Sequence, residues 1–150
     1  MRALVQRVSE GGVDISEFNY TASISKGMVI LLGVKEGDTI EDVNFVADKC
    51  SNLRIFEDKN GKMNLSVKQI NGEVLVISQF TLYADTRKGN RPSFNLAASP
   101  ELAIGLYEKL IDRLKQNLGE EKVKHGIFGA MMKVKIFNDG PVTVLVESKT

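Results

Sequence analysis

The chain has 150 residues, of which 43% are hydrophobic and 26% are charged, which suffices for one compact domain with a core and is short for two. Its 20 basic residues nearly balance its 19 acidic ones, so no overall field indicates a nucleic-acid or membrane partner, and any RNA contact must be local. A single cysteine excludes an internal disulfide framework, and no apolar run reaches the length of a signal peptide or a membrane span. We therefore expect a cytoplasmic protein with one domain over residues 1–150.

Short apolar runs dominate the pattern and predict strands. In chain order, they cover residues 3–8, 20–24 (a weaker pattern), 28–34, 53–56, 73–83, 132–137 and 142–146. The dipeptides Asn60-Gly61 and Asn71-Gly72 supply positive φ, so each predicts a tight turn between antiparallel strands.

Two segments carry helix start and stop signals. Thr39 is a capping residue with Asp42 three positions later, in capping-box spacing. Ser99 followed by Pro100 predicts the start of a second helix, which should end at Gly119. The apolar faces contain Val43, Val46, Ala47 and Cys50 in the first helix and Leu106, Leu110 and Leu114 in the second. Two helices among many strands predict an α+β fold, with Cys50 in its core.

Common catalytic motifs are missing from this sequence. His125 is the one histidine, and no Cys/His cluster or His-Glu-x-x-His spacing occurs, so we predict no metal. Neither a Gly-rich phosphate loop nor a dinucleotide fingerprint occurs, so we also predict no nucleotide cofactor. A Ser-His-acid triad would have to use His125, which lies in a Lys-rich stretch and is more simply interpreted as a solvated surface imidazole.

Residues 78–85, SQFTLYAD, follow a buried apolar run and turn polar. If the strand continues, its two faces carry Ser78, Phe80 and Leu82 on one side and Gln79, Thr81 and Tyr83 on the other. One interpretation is a strand end whose polar groups are satisfied locally. The alternative is a chemical role, because backbone N–H groups that leave a ladder can stabilise an oxyanion.

Thr81 as a nucleophile would need a base within hydrogen-bond reach. The nearest acid on its strand face is Asp85, which is roughly 13 Å away at about 3.3 Å per residue. The local sequence therefore supplies no base for Thr81.

Residues 138–141, Asn-Asp-Gly-Pro, join two strand-like runs, and the spacing favours an ordinary turn. Gly140 has no side chain and Pro141 has no N–H, so the carbonyl oxygens are the functional groups left exposed. Such a surface suits a positively charged amine.

The segments SQFTLYAD and NDGPVT, in this order, with RIFEDKNGKMNLS before the first and RKGNRPSF after it, resemble the D-aminoacyl-tRNA deacylase family. The resemblance extends from RALVQRV to GPVTVLVES and is looser over residues 11–19. It implies a homodimer of barrel-like α+β domains without metal or cofactor. It further implies an esterase that removes D-amino acids, and in many members glycine, from the 3′-terminal adenosine of tRNA.

The resemblance also implies roles for particular residues. Gly140 and Pro141 are expected in a cis peptide that inserts into the partner subunit's site, binds the substrate ammonium and excludes L side chains. Arg7 either holds this segment or is a surface arginine at a strand end. The pocket for adenosine and ester is expected to contain Ser78, Gln79, Phe80 and Thr81.

Two chemical schemes remain for this pocket. Thr81 is the nucleophile in one, whereas the 2′-hydroxyl of the tRNA assists hydrolysis in the other, which we favour because Thr81 lacks a local base.

Local basic groups are the candidates for tRNA contact, although a solvated surface is the ordinary interpretation of such residues. They are Arg87, Lys88, Arg91, Lys133 and Lys135. Two other functions remain open, a non-enzymatic dimeric RNA-binding module and a generic L-aminoacyl esterase.

Overall fold

The computed structural model describes residues 1–149, which form two helices and eight strands. The helices are α1 (Ile40–Asn52) and α2 (Pro100–Leu118). The strands are β1 (Arg2–Ile15), β2 (Tyr20–Ile24), β3 (Gly27–Gly33), β4 (Phe56–Glu57), β5 (Met63–Leu65), β6 (Glu73–Ser78), β7 (Val123–His125) and β8 (Lys133–Glu147). Short 3₁₀ helices cover Ser16–Phe18, Phe80–Tyr83 and Glu120–Lys122. Neither α-helix has the length and hydropathy needed to cross a membrane.

The main sheet is mixed and is organised around β1. Its order is β2-β1-β3-β6-β7, and β8 pairs with β1 as well. β1 is antiparallel to β2, β3 and β8, whereas the β3-β6 and β6-β7 pairs are parallel. With its two helices, this sheet, nearly closed into a barrel, confirms the predicted α+β fold.

Several predicted strand boundaries are wrong for reasons of tertiary pairing. The strand expected at residues 3–8 continues to Ile15, because β2 and β8 pair with its second half. The strand expected at 53–56 is reduced to Phe56–Glu57, the two residues that pair with β5. The prediction at 20–24 is confirmed, and that at 28–34 is displaced by one residue. β5 and β7 have three residues each, too few to show a pattern in the sequence.

The two Asn-Gly turns have different outcomes. Gly61 has φ 77° and connects the antiparallel pair β4-β5, as predicted. Asn71 also has a positive φ, 54°, but it precedes β6, which runs parallel to its neighbours. The antiparallel pairing expected at Asn71-Gly72 is therefore wrong.

Both helices begin, and α2 ends, as their capping residues predict. The backbone N–H of Thr39 donates to the Asp42 carboxylate at 2.8 Å, which is one half of a capping box. The Ser99 hydroxyl accepts from the N–H of Leu102 at 3.5 Å, and α2 ends at Gly119, which has φ 114°. Local hydrogen bonds thus fix these boundaries.

Apolar clusters lie on both faces of the sheet. The cluster on the helical side includes Met28, Ile30, Val46, Cys50, Leu110 and Leu114, and the other includes Val13, Ile15, Ile24, Leu75 and Ile77. Cys50 is 1% exposed, as predicted, and burial raises the pKa of its thiol to about 12. Full burial of each large apolar side chain contributes about 1.5–3 kcal/mol, so these clusters hold the strands around the cleft described below.

The two ends of the described chain meet at the start of α1. The Met1 ammonium lies 2.8 Å from the Asp38 carboxylate, and both groups are fully buried. The Met1 ammonium also donates to the Ser148 hydroxyl at 3.1 Å. That hydroxyl donates in turn to the Asp42 carboxylate at 2.7 Å. Lys149 Nζ lies 3.2 Å from the other Asp42 oxygen. This polar cluster anchors Met1, the residue that precedes β1.

The same cluster predicts an acid-dependent loss of stability. Burial would raise the pKa of Asp42, but hydrogen bonds from Ser148, Thr39 and Lys149 outweigh it and lower the pKa to about 2. A carboxylate with a lowered folded-state pKa contributes stability that is complete above about pH 4 and is lost as the pH falls towards 2. In urea unfolding at several pH values, Asp42→Asn should therefore reduce this acid-dependent loss by up to about 2 kcal/mol. An unchanged acid dependence would contradict the assignment, and Asp112→Asn, at an exposed site on α2, is the matched control.

Candidate active site

The polar segment after β6 is a 3₁₀ helix and not a continued strand. The N–H of Gln79 donates to the carbonyl of Leu32 at 2.7 Å, the last such bond between this segment and β3. β3 ends at Gly33, so the next residues have no strand to pair with. Gln79 turns the chain with φ −146° and ψ 78°, and Phe80–Tyr83 form the helix. The strand expected to reach Tyr83, and the alternation of its faces, are therefore wrong beyond Ser78.

This change of conformation leaves two adjacent backbone donors free. The N–H of Leu82 donates to the carbonyl of Gln79 at 3.2 Å and that of Ala84 to Thr81 at 3.0 Å. The N–H groups of Phe80 and Thr81 have no acceptor among residues 1–149. Both residues are exposed. Such paired donors can polarise a carbonyl and stabilise the oxyanion that forms on it.

A cleft of about 830 Å³ opens beside these donors. Ser78, Gln79 and Phe80 line one side of it. The rest of the lining includes Leu32 of β3, Val34 directly after it, Phe94 in the loop before α2, Ala103 and Tyr107 of α2, and Met131 and Met132 before β8. This volume is in the range of small-molecule sites, and the predominantly apolar lining leaves the backbone donors as prominent polar groups.

Thr81 Oγ1 accepts a hydrogen bond from Gln79 Nε2, and this is its one side-chain hydrogen bond among the described residues. The Asp85 carboxylate is held instead by Arg87, whose Nε and Nη2 donate at 2.8 and 2.6 Å. These hydrogen bonds lower the pKa of Asp85 to about 2, so it is a poor base. No hydrogen bond within residues 1–149 joins Thr81 to a carboxylate or an imidazole.

His125 lies away from this cleft, at the end of β7. Its Nδ1 is 2.7 Å from the carbonyl of Gly126, and its own carbonyl accepts from the Tyr20 hydroxyl at 2.7 Å. The side chain is half-buried and lines a separate surface cavity of about 340 Å³. His125 does not line the cleft that contains Ser78.

Gly140 and Pro141 lie inside β8, and the turn expected there is wrong. Both halves of β8 pair with β1, so the chain cannot reverse between them. Thr143 pairs with Gln6 and Asn138 pairs with Val8, which leaves residues 139–142 bulged opposite one residue of β1. Gly140 and Pro141 are exposed, and the peptide bond between them is cis.

Arg7 is the residue opposite this bulge. It is 7% exposed, so the interpretation as a surface arginine is wrong. Its Nε donates to the carbonyl of Asp139 at 2.9 Å, and its Nη1 donates to the carbonyl of Ile55 at 2.9 Å. A Cβ on Gly140 would lie 3.1 Å from Arg7 Nη2 and 2.8 Å from Val142 Cγ2. Arg7 therefore holds the bulge through its hydrogen bond to Asp139, and the packing around Gly140 is too tight for a side chain at that position.

Within one chain, the two motifs remain apart. Gly140 and Pro141 do not line the cleft. Arg2 contacts Leu82, whereas Arg7 contacts Asp139. The two arginines are separated by roughly 17 Å along β1, at about 3.3 Å per residue.

The candidate tRNA-binding residues occupy two exposed places. Lys133 and Lys135 lie on the outward side of β8, whereas Arg87, Lys88 and Arg91 belong to the loop after the 3₁₀ helix. Contacts between the described residues do not join these groups into one cluster. Local sequence gives no signal that Phe94, whose ring lies 5.0 Å from that of Phe80, or the 87% exposed Met131 belongs to the cleft. Only the tertiary fold brings these residues together.

Solved structures share this architecture. A c-Myc DNA unwinding element binding protein has a TM-score of 0.93 and 40% sequence identity, with all of both chains covered. A probable eukaryotic D-amino acid tRNA deacylase has a TM-score of 0.84 and 15% identity, with 97% of this chain and 98% of that chain covered, and this likeness concerns the fold alone.

Curated bacterial relatives are similar over nearly their full length. The D-aminoacyl-tRNA deacylase of Flavobacterium psychrophilum is 54% identical over 149 residues, with 99% of this chain and 98% of the relative covered. That of Thermotoga petrophila is 53% identical over 148 residues, with 99% and 97% covered. That of Bacteroides fragilis is 51% identical over 149 residues, with 99% and 98% covered.

The names of these relatives, which match over nearly the whole chain, define the class of protein as a hydrolase of carboxylic esters, a deacylase. The family model described as D-Tyr-tRNA(Tyr) deacylase matches residues 4–147, and the chain belongs to that family.

Proposed function

We propose that this protein hydrolyses the ester between a D-amino acid and the 3′-terminal adenosine of tRNA, as a proofreading step of translation in the cytoplasm. The observation that carries the proposal is the pair of free N–H groups at Phe80 and Thr81 beside an apolar cleft. The names of the bacterial relatives support D-aminoacyl-tRNA as the substrate.

The geometry favours chemistry that uses the backbone and the substrate. The ester carbonyl would accept hydrogen bonds from the N–H groups of Phe80 and Thr81, which stabilise the negative charge when water adds to the carbonyl carbon. The acyl–oxygen bond then breaks, the 3′-hydroxyl leaves with a proton, and the amino acid leaves as its carboxylate. Because Thr81 has no base beside it, the neighbouring 2′-hydroxyl of the adenosine assists the attack, while Ser78, Gln79 and Thr81 position the ester.

A second copy of the chain would complete the site. Gly140 and Pro141 are exposed and lie outside the cleft of their own chain, so in this proposal they enter the cleft of the partner. Their carbonyl oxygens bind the substrate ammonium and leave no space for an L side chain. Thousandfold discrimination requires about 4 kcal/mol, whereas one neutral hydrogen bond contributes about 0.5–1.5 kcal/mol, so steric exclusion supplies most of it. Steric exclusion of an L side chain does not exclude glycine, which has only a hydrogen at that position. Glycyl-tRNA is therefore also a proposed substrate.

An apolar patch supports pairing of two copies on this side of the sheet. Leu145 of β8 is 49% exposed and pairs across the strands with Leu4, which pairs in turn with Leu31 of β3. Opposite residues of antiparallel strands project to the same face, so the three leucines lie together. Leu145 lies on β8, the strand that contains the Gly140-Pro141 bulge. Leu4 lies on β1, which pairs with β8, and Leu31 lies on β3, the next strand. A self-complementary interface here would bury the patch.

Lys133 and Lys135 are proposed to contact tRNA phosphates. Each phosphate contact contributes about 0.7–0.9 units to the slope of log affinity against log salt. Replacing both lysines with Ala should therefore reduce the slope by about 1.5 units and weaken binding without changing preference among tRNAs. The measurement is a salt titration of tRNA binding, with Lys59 and Lys62, in the exposed turn before β5, as the matched control pair. An unchanged slope would place the tRNA elsewhere.

A non-enzymatic nucleic-acid-binding module is the second candidate, because the 40% identical structural neighbour is described as binding a DNA unwinding element. In that case the Gly140-Pro141 bulge would only stabilise a dimer. A generic L-aminoacyl esterase is the catalytic alternative.

The experiment that tests the proposed function is release of D-tyrosine from D-tyrosyl-tRNA by purified protein. We expect fast release that is unaffected by EDTA, from a species with twice the 16.6 kDa chain mass. Binding of the tRNA without release would favour the nucleic-acid-binding module, and sensitivity to EDTA would contradict the metal-free scheme.

A further inference from the structure

Arg2 contacts three groups beside the candidate active site. Its Nη1 donates to the carbonyl of Leu82 at 2.9 Å, and its Nε donates to Glu147 Oε2 at 2.8 Å. Its guanidinium carbon lies 4.5 Å from the centroid of the Tyr83 ring. Leu82 and Tyr83 belong to the 3₁₀ helix whose first two residues carry the free backbone donors. One side chain thus contacts the second half of this helix both by a hydrogen bond and by stacking.

The backbone of Arg2 is itself fixed on both sides. It pairs with Gly33 of β3 on one edge of β1 and with Glu147 of β8 on the other. The preceding residue, Met1, is held through its buried ammonium by Asp38. The side chain of Arg2 therefore projects from a rigid position, as is required of a group that holds another segment in place.

The 3₁₀ helix has few other tertiary hydrogen bonds. On its N-terminal side, Gln79 donates to Leu32 of β3. On its C-terminal side, Ala84 donates only to Thr81 of the helix itself. Among the described residues, Arg2 makes the side-chain hydrogen bond that joins the helix to the main sheet. Without this bond, the helix would be held to the sheet by the Gln79–Leu32 hydrogen bond and by packing of the buried Tyr83 ring, so its orientation would be less tightly fixed.

We propose that Arg2 is a positioning residue, which orients the N–H groups of Phe80 and Thr81 towards the ester carbonyl. This inference rests on the proposed function. Arg2 does not line the cleft, so it acts through Leu82 and Tyr83 and not on the substrate. Misdirected backbone donors weaken stabilisation of the transition state more than binding of the substrate, so the effect falls on kcat rather than on KM.

The chemistry of the Arg2 side chain distinguishes a positioning role from a requirement for positive charge alone. A guanidinium can donate to a carboxylate and a carbonyl and stack on an aromatic ring at the same time, whereas an ammonium cannot do so in the same geometry. Arg2→Lys should therefore remain impaired although it keeps the charge. Arg113→Ala is the matched control, because Arg113 also pairs with a carboxylate, Asp48 at 2.7 Å, but lies between the two helices.

The test measures D-tyrosyl-tRNA hydrolysis and amide hydrogen exchange in the two Arg2 variants, Arg2→Ala and Arg2→Lys, and in the Arg113 control. For Arg2→Ala we expect kcat to fall at least about tenfold with KM within about threefold. We also expect faster exchange at residues 80–84, and partial recovery of kcat when methylguanidinium is added. Arg113→Ala should leave all three readouts unchanged.

The outcomes separate this inference from the proposed function. An unchanged kcat in Arg2→Ala, a change confined to KM, or a loss matched by general unfolding would overturn the role of Arg2. A wild-type protein that does not hydrolyse D-tyrosyl-tRNA would instead overturn the proposed function, and exchange at residues 80–84 would still report whether Arg2 holds the helix.

Discussion

A D-aminoacyl-tRNA that ends in 2′-deoxyadenosine should be hydrolysed at least about 100-fold more slowly than the normal substrate, a loss of about 2.7 kcal/mol of transition-state stabilisation. The reason is the absence of a base beside Thr81. Among residues 1–149, its hydroxyl makes a hydrogen bond to Gln79 alone, and the nearby Asp85 is paired with Arg87 and has a pKa lowered to about 2. The account therefore assigns assistance of the attack to the 2′-hydroxyl of the substrate. Single-turnover hydrolysis of the two substrates is the measurement.

The control for this prediction is Thr81→Ala, which should retain activity within about tenfold because it removes one positioning contact and no nucleophile. Competition experiments should show that the deoxy substrate still binds. Near-complete loss of turnover in Thr81→Ala with intact substrate binding would contradict the 2′-hydroxyl scheme and identify Thr81 as the nucleophile.

Gly140→Ala should lower the preference for D over L substrates at least tenfold, which corresponds to about 1.4 kcal/mol. Gly140 has φ 138°, and an added Cβ would lie 2.8 Å from Val142 Cγ2 and 3.1 Å from Arg7 Nη2. The bulge must therefore shift, which moves the carbonyl oxygens that are proposed to face the substrate. The measurement is kcat/KM for matched D- and L-tyrosyl-tRNA, together with the mass of the protein in solution.

Gly61→Ala is the control for backbone strain, because Gly61 has φ 77° and no atom within 4 Å of an added Cβ. It should cost some stability and leave selectivity unchanged. If Gly140→Ala instead dissociates the dimer and leaves the D/L ratio of the remaining dimer unaltered, the bulge is a structural element of the interface and the proposed steric role is wrong.

Local signals predicted the helices well, because their ends depend on neighbouring residues. Thr39 with Asp42, and Ser99 with Pro100, are capping groups that act within one turn. The end of β6 could not be predicted in the same way. It depends on where β3 ends, at Gly33, and the two strands are far apart in sequence. Strand limits are set by the partner strand, which a local pattern does not contain.

The candidate site likewise has features that the local sequence predicts and features that only the tertiary fold determines. Composition and order identify the segment at residues 78–81 and the Gly-Pro pair, but the strand expected to continue through the first and the turn expected at the second are wrong. The spacing favours a turn at Gly140, whereas the pairing of β8 with β1 on both sides of residues 139–142 makes this segment a bulge opposite Arg7. Phe94 and Met131 reach the cleft from distant loops, so only the fold assigns them to the site.

The measurement that tests the central claim most directly is the ratio of kcat/KM for D-tyrosyl-tRNA to that for L-tyrosyl-tRNA with the dimeric wild-type protein. Steric exclusion predicts a ratio of about 1,000 or more, with fast hydrolysis of glycyl-tRNA in the same assay. Equal hydrolysis of the D and L esters would contradict the account, since it would mean that the exposed Gly140-Pro141 bulge does not exclude L side chains.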